Sequence, residues 1–240
     1  MPRTDDEPGK VEDLAPGVAF ADADRDAVYR AIATRRDVRG EFLPDPICGD
    51  TLARILAAAH QAPSVGLSQP WDFVLIRKRE IRSRIAAIFA EANAEAAQRF
   101  PAERQAQYRT LKLEGIVSAP LNICVTSDPA RGGPVILGAT HMADTDLFST
   151  VCAIQNLWLA ARAEGIGVGW VSILHEDRVK AVLGIPERLR LVGYLCVGHV
   201  RGFFDRPELE KRGWRTRDNV GAHVHEDGWN AQRHMPAPKD

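Results

Sequence analysis

Apolar residues recur at helical spacing in five stretches of this chain and cluster with strand-like density in four. Ala27, Val28, Ala31 and Ile32 form a stripe that predicts a helix from Asp22 to Arg35. Leu52, Ile55, Leu56 and Ala59 predict a second helix, with Asp50 as its expected cap and Ala62-Pro63-Ser64-Val65-Gly66 as its breaker. Trp71 to Arg77 reads as a strand, and Ile81, Ile85, Ile88 and Phe89 mark a third helix. Phe100 to Gly115 is strongly polar with Tyr108, Leu111 and Leu113 interspersed, a pattern that suits a mobile cover.

Leu121 to Thr126 has the density of a buried strand, and Arg131-Gly132-Gly133-Pro134 predicts a large loop after it. Leu147, Val151, Ile154, Leu157, Trp158 and Ala161 form an apolar set too broad for a surface helix, so this helix is expected at the centre, ended by a positive-φ glycine at Gly165. Strands at Gly167–Ile173 and Leu191–Val197 flank a short helix through Val179, Val182 and Leu183. From Gly202 onward charge, Trp and Gly alternate without periodicity, which predicts a wrapping arm or partial disorder. Strands interleaved with helices imply an α/β or α+β domain.

The 240 residues are 45% hydrophobic, enough for one elaborated domain with a substantial core. A net charge of -1 removes the argument for nucleic-acid binding. Cys48, Cys124, Cys152 and Cys196 are scattered without a Cys-x-x-Cys pair and read as reduced thiols. Neither a secretory signal nor a membrane-spanning apolar run is evident, so the expectation is a cytoplasmic protein.

Against that near-neutral background, Thr34-Arg35-Arg36-Asp37-Val38-Arg39-Gly40-Glu41-Phe42 places three arginines around one aspartate at a helix end. Guanidinium groups hold a terminal phosphate through forked, charge-assisted hydrogen bonds. Asp37 cannot bind that phosphate; it can orient the arginines or work as an acid or base on another part of the ligand. The alternative is a solvated helix end with ordinary ion pairs. Ala62-Pro63-Ser64-Val65-Gly66-Leu67-Ser68-Gln69-Pro70-Trp71 can line a polar heteroaromatic ligand, or be no more than a turn. Gly165-Ile166-Gly167-Val168-Gly169-Trp170-Val171-Ser172 opens a strand after a helix, the reverse of the dinucleotide-binding order, so a Rossmann fold is rejected. His60, His175 and His223-x-His225 lack convergent partner ligands, and no metal is expected. Ser64, Ser68 and Ser172 lack a nucleophile-elbow context.

Taken together, the arginine motif, Pro63-Ser64 through Gln69-Pro70-Trp71, Leu111-Lys112-Leu113-Glu114-Gly115, Ser149-Thr150-Val151-Cys152-Ala153 and the glycine-rich strand entrance resemble the nitroreductase-like flavoproteins over about residues 25–200. The detail is similar to the branch that consumes its flavin. Ordinary nitroreductases commonly carry serine at the third position of the arginine motif and asparagine where Leu67 stands.

The resemblance implies an α+β fold with a central mixed sheet flanked by helices, in a homodimer with FMN at the subunit interface. It implies a flexible tail over residues 1–20, a flavin domain over 21–200 with a lid at about 90–115, and a C-terminal arm over 201–240. It places Arg35, Arg36 and Arg39 on the phosphate, Ser64 and Gly169 against the flavin, and Asp37 and Ser172 at the chemistry. The activity it implies is oxygen-dependent conversion of reduced FMN, supplied by a flavin reductase, into 5,6-dimethylbenzimidazole, the lower base of cobalamin. A conventional nitroreductase, recycling FMN with a nicotinamide donor, is the alternative.

Overall fold

The structure, a computed structural model, describes residues 17–229. Most of the tail expected over residues 1–20 and the end of the arm, 230–240, lie outside them. Along the chain run α1 (Asp22–Thr34), α2 (Gly49–His60), β1 (Trp71–Ile76), α3 (Arg79–Gln98), α4 (Ala102–Arg109), β2 (Leu121–Ser127), α5 (Thr145–Ala163), β3 (Ile166–Val171), α6 (Glu176–Leu183), β4 (Arg190–His199) and α7 (Glu208–Lys211). The strands form one sheet in the order β1-β2-β4-β3, every neighbouring pair antiparallel. Among the described residues the expected mixed character comes only from a parallel bridge between Asp37 and Val168, outside the four strands.

Every residue of β2 is buried, which explains its unbroken apolar run: both faces of this interior strand are covered. Leu121, Ile123 and Val125 point with Leu195 and Val197 of β4 into a core closed by α2 and α5. On the other face Cys124, Tyr194 and Cys196 join Ile85, Ile88 and Phe89 of α3 and Val179 of α6. Each fully buried aliphatic side chain contributes roughly 1.5–3 kcal/mol, so the two-sided sheet carries much of the stability of the fold. The one buried tyrosine hydroxyl in it, on Tyr194, donates to Asn122 at 2.9 Å.

Three expectations change. Asp50 does not cap α2: Cys48 is the cap residue and no side chain satisfies the first amides, while Asp50 sits in the first turn, where its charge meets the positive end of the helix dipole. The stripe on α1 buries no residue, and Val28, Tyr29 and Ile32 remain exposed although α1 packs on α5. The helix α5 is central as expected, but it also buries Asp146, Ser149 and Thr150 and exposes Phe148 and Val151. Its buried polar groups are paired: Thr150 Oγ1 donates to Asp146 O at 2.9 Å, and Ser127 Oγ donates to the Asp146 carboxylate at 2.8 Å. Gly165 follows α5 with φ +73°. No helix of the described residues is long and apolar enough to cross a membrane.

Candidate active site

The arginine segment lies along the outer edge of β3. The helix α1 stops because Arg35 is extended, with φ -61° and ψ 136°, and the carbonyls left at its end are taken by cations. Arg162 Nε donates to Thr34 O at 3.2 Å, and Arg36 Nη1 donates to Ala33 O and Arg35 O at 2.8 and 2.7 Å. Trp158 Nε1 of α5 donates to Arg36 O at 3.2 Å. Beyond this point the chain is strand-like, and residues alternate. Val38 is buried and its amide donates to Val168 O at 3.0 Å, so Arg35, Asp37 and Arg39 share the opposite direction.

Arg35, Arg36, Asp37 and Arg39 line one cavity of about 160 Å³, completed by Pro207, Glu208, Leu209 and Arg217 from the C-terminal arm. The four motif residues are thus together. They are not equivalent. Arg36 is held by backbone carbonyls, with a third bond from Nη2 to Asp205 O. Arg39 Nη2 donates to Asp37 Oδ2 at 2.5 Å, and Arg39 Nη1 lies 3.9 Å from Glu208 Oε2. The Arg35 guanidinium stacks on the Trp158 ring at 4.7 Å and has no hydrogen-bonded partner among the described residues. Burial holds its pKa below the ordinary arginine value; the charges of Arg36 and Arg217 act in the same sense, against Asp37.

Asp37 receives the Trp170 amide on Oδ1 at 3.0 Å and Arg39 on Oδ2. Both contacts favour the ionised carboxylate, yet burial raises its pKa above the usual aspartate value. Arg39, the Trp170 amide and Arg35 oppose that shift without cancelling it, and Glu208 adds to it. Such a carboxylate is both fixed in direction and more ready to take up a proton than an exposed one.

The glycine at 169 is required by the chain itself. A Cβ there would stand 1.9 Å from Val38 O and 3.5 Å from Asp37 Oδ1, so only glycine lets the arginine segment lie against β3. Ser172 is exposed beyond the end of β3, two residues past the amide that holds Asp37, or about 7 Å along an extended chain. It lines a different cavity of about 160 Å³ with Trp170, Leu174, Glu176 and Gly193. Ser64 is further away. Its Oγ accepts the Gln69 amide at 3.0 Å, and the next residue, Val65, donates its amide to Ser149 Oγ at 3.1 Å. Ser149 and Trp158 are nine residues apart on α5, so Ser64 lies roughly 14 Å along that axis from the Arg35 stacking position. Within one chain it does not reach the arginine cavity.

The four arm residues of the cavity, two of them the charged Glu208 and Arg217, carry no signal in the sequence. They come from the non-periodic arm, where no spacing signals which charge turns inward. Arg201, the other basic residue near the end of the sheet, donates to Gly40 O at 3.2 Å and is not among the lining residues. His60, at the end of α2, accepts the Trp71 indole N–H at 3.1 Å. All four cysteines are free thiols, and burial pushes Cys124 and Cys196 up to about 12.

The family model for the nitroreductase family matches residues 32–199. A 5,6-dimethylbenzimidazole synthase of Rhodospirillum rubrum is 46% identical over 201 residues, 84% of this chain and 95% of the relative. Another synthase of that name, from Rhodobacter capsulatus, is 39% identical over 198 residues, 82% of this chain and 94% of the relative. Among solved structures, an iodotyrosine deiodinase bound to FMN and 3-iodo-L-tyrosine superposes with a TM-score of 0.66 at 18% identity, over 84% of this chain and 98% of that one, a likeness of fold.

Proposed function

The chain belongs to the nitroreductase family, and on that premise we propose that it converts reduced FMN into 5,6-dimethylbenzimidazole with molecular oxygen as co-substrate, fragmenting the flavin. The observation that carries this reading is Asp37. A cavity that only held a phosphate would need cations alone, whereas here a carboxylate is fixed among them by the Trp170 amide and Arg39.

A phosphate fits the donor set. The guanidinium groups of Arg35 and Arg217 line the cavity without hydrogen-bonded partners among the described residues, and their like charges gain from an anion between them. Arg39 adds charge while orienting Asp37, and Arg36 shapes the backbone that presents both. Reduced FMN supplies the electrons and the carbon skeleton of the product. Asp37 accepts a proton at its carboxylate during fragmentation, for which its raised pKa suits it. The hydroxyl of Ser172, two residues beyond the Trp170 amide, holds a ring or ribityl oxygen in place. The stretch around 90–115 serves as the lid that excludes water.

Ser64 completes the site from a second subunit. Val28, Tyr29 and Ile32 on α1, Phe148 and Val151 on α5, and Val135, Leu137 and Met142 in the preceding loop are exposed, Tyr29 by 63% and Leu137 by 85%. Apolar surface on this scale is rarely left to water, and a two-fold homodimer covers it while bringing the Ser64 loop of one chain to the arginine cavity of the other. Sedimentation should give a dimer and Ile32→Glu a monomer with weakened flavin binding; a flavin-loaded wild-type monomer would remove the shared site. We place the enzyme in the cytoplasm, supplied with reduced FMN by a separate flavin reductase.

The deciding experiment is mass analysis of the flavin before and after aerobic incubation of the reduced complex. Loss of FMN with appearance of the benzimidazole is the expected result. Recovery of intact FMN, together with turnover of a nitroaromatic by NAD(P)H, would overturn it in favour of a conventional nitroreductase.

A further inference from the structure

The C-terminal arm touches two places that the proposed reaction must coordinate. At one end it closes the arginine cavity: Asp205 O accepts from Arg36, the Phe203 ring lies 4.2 Å under the Arg162 guanidinium, and Glu208 enters the cavity wall. Glu208 is only 9% exposed, and its Oε2, 3.9 Å from Arg39 Nη1, has no hydrogen-bond partner among the described residues. A buried carboxylate oxygen with no hydrogen bond is a costly arrangement, and it stands where it would repel an incoming phosphate.

At the other end the arm holds the segment expected to be the lid. Trp214 packs edge-on to Phe100 at 5.2 Å and against Tyr108 at 6.2 Å, under the Arg104 guanidinium at 3.9 Å. Arg104 donates to Trp214 O at 3.2 Å and Gln107 donates to Arg212 O at 3.2 Å. Between the two ends lies one tight turn. Arg212 N donates to Glu208 O at 2.9 Å and Trp214 N to Leu209 O at 2.8 Å, so Glu208 and Trp214 are borne by a single short rigid unit.

We infer that Glu208 is a resident anion of the arginine cavity, that the flavin's phosphate displaces it, and that the displacement is carried through the Glu208–Trp214 turn to the lid. The arm is thereby a phosphate sensor that sets the lid according to whether the phosphorylated flavin is seated. The inference rests on the flavin reading and adds to it a distinction between FMN and riboflavin at the lid, beyond the difference in affinity.

The test uses the full-length protein, with oxidised FMN and riboflavin at saturating concentration, and follows amide hydrogen exchange by segment. FMN should change exchange at both 203–217 and 100–110, and riboflavin at neither. In Trp214→Ala the FMN response at 203–209 should persist while that at 100–110 is lost. Glu208→Gln, which removes the competing charge and keeps the shape, should tighten FMN by about tenfold and leave riboflavin unchanged. Equal lid responses to both flavins, a lid response that survives Trp214→Ala, or weaker FMN binding by Glu208→Gln would each overturn the coupling while leaving the flavin reading intact. Binding of neither flavin would instead remove the flavin reading, and this inference with it.

Discussion

Residues 35–42 and residues 203–217 wall the same cavity and are held in opposite ways. The first segment is fastened to the sheet edge by backbone bonds, with Val38 and Phe42 buried and Gly169 leaving no free space behind it. The second is held by cation–ring contacts and half-exposed ion pairs such as Arg212–Glu208. Contacts of the second kind contribute little each and are easily exchanged. A fixed wall suits a group that must meet a reacting atom, and an exchangeable wall suits one that must respond to occupancy.

Substitutions on the fixed wall should therefore affect chemistry most. Asp37→Asn keeps the shape and the bond from the Trp170 amide but cannot take up a proton at neutral pH. Benzimidazole formation should fall by roughly a hundred- to ten-thousand-fold while reduced FMN still binds, as read by product analysis against flavin titration. Near-normal product from the flavin-loaded variant would return Asp37 to the task of orienting arginines.

Arg35→Ala comes next. It removes a cation that has no hydrogen-bonded partner among the described residues, so FMN should weaken by about 10- to 100-fold and riboflavin little, measured by titration. Arg36→Ala sharpens the contrast within the motif, because Arg36 is already bonded to three carbonyls. Its loss should appear chiefly as lowered thermal stability, and a purely affinity-based effect would contradict that division.

Gly169→Ala tests the rigidity directly. A Cβ 1.9 Å from Val38 O forces the arginine segment off the strand, at a cost of about 1–3 kcal/mol, visible in denaturant unfolding. Unchanged stability would mean that the edge is softer than its packing implies.

The smallest effect concerns pH. Burial raises the Asp37 pKa, so product formation should decline on its acid limb at a pH above the ordinary aspartate range, and the pH–rate profile would show it. For stability the sign follows from the folded state holding its proton more tightly. The contribution of Asp37 is fully present below the unfolded pKa and is lost as pH rises through the folded one. Asp37→Asn should flatten that part of the stability profile.

Much of this molecule was legible from residue order alone. The interior strand Leu121–Ser127, the broad apolar helix around Leu157 and Trp158, and the grouping of arginines with one aspartate are local patterns, set by periodicity and side-chain chemistry. Those forces act between near neighbours, and the same locality carried the family resemblance. The tertiary structure alone decided which charges meet. It assigned Arg36 to backbone carbonyls, turned Asp37 toward the Trp170 amide, made Gly169 a steric requirement, and brought Glu208 and Arg217 to the cavity from an arm without periodicity. It also left the stripe of α1 in the open, where a sequence stripe implies burial without saying against what. The physical reason is common to all of these. Long-range ion pairs and close backbone approaches depend on distances fixed only when the sheet and helices pack, and neither leaves a spacing in the chain that could be read beforehand.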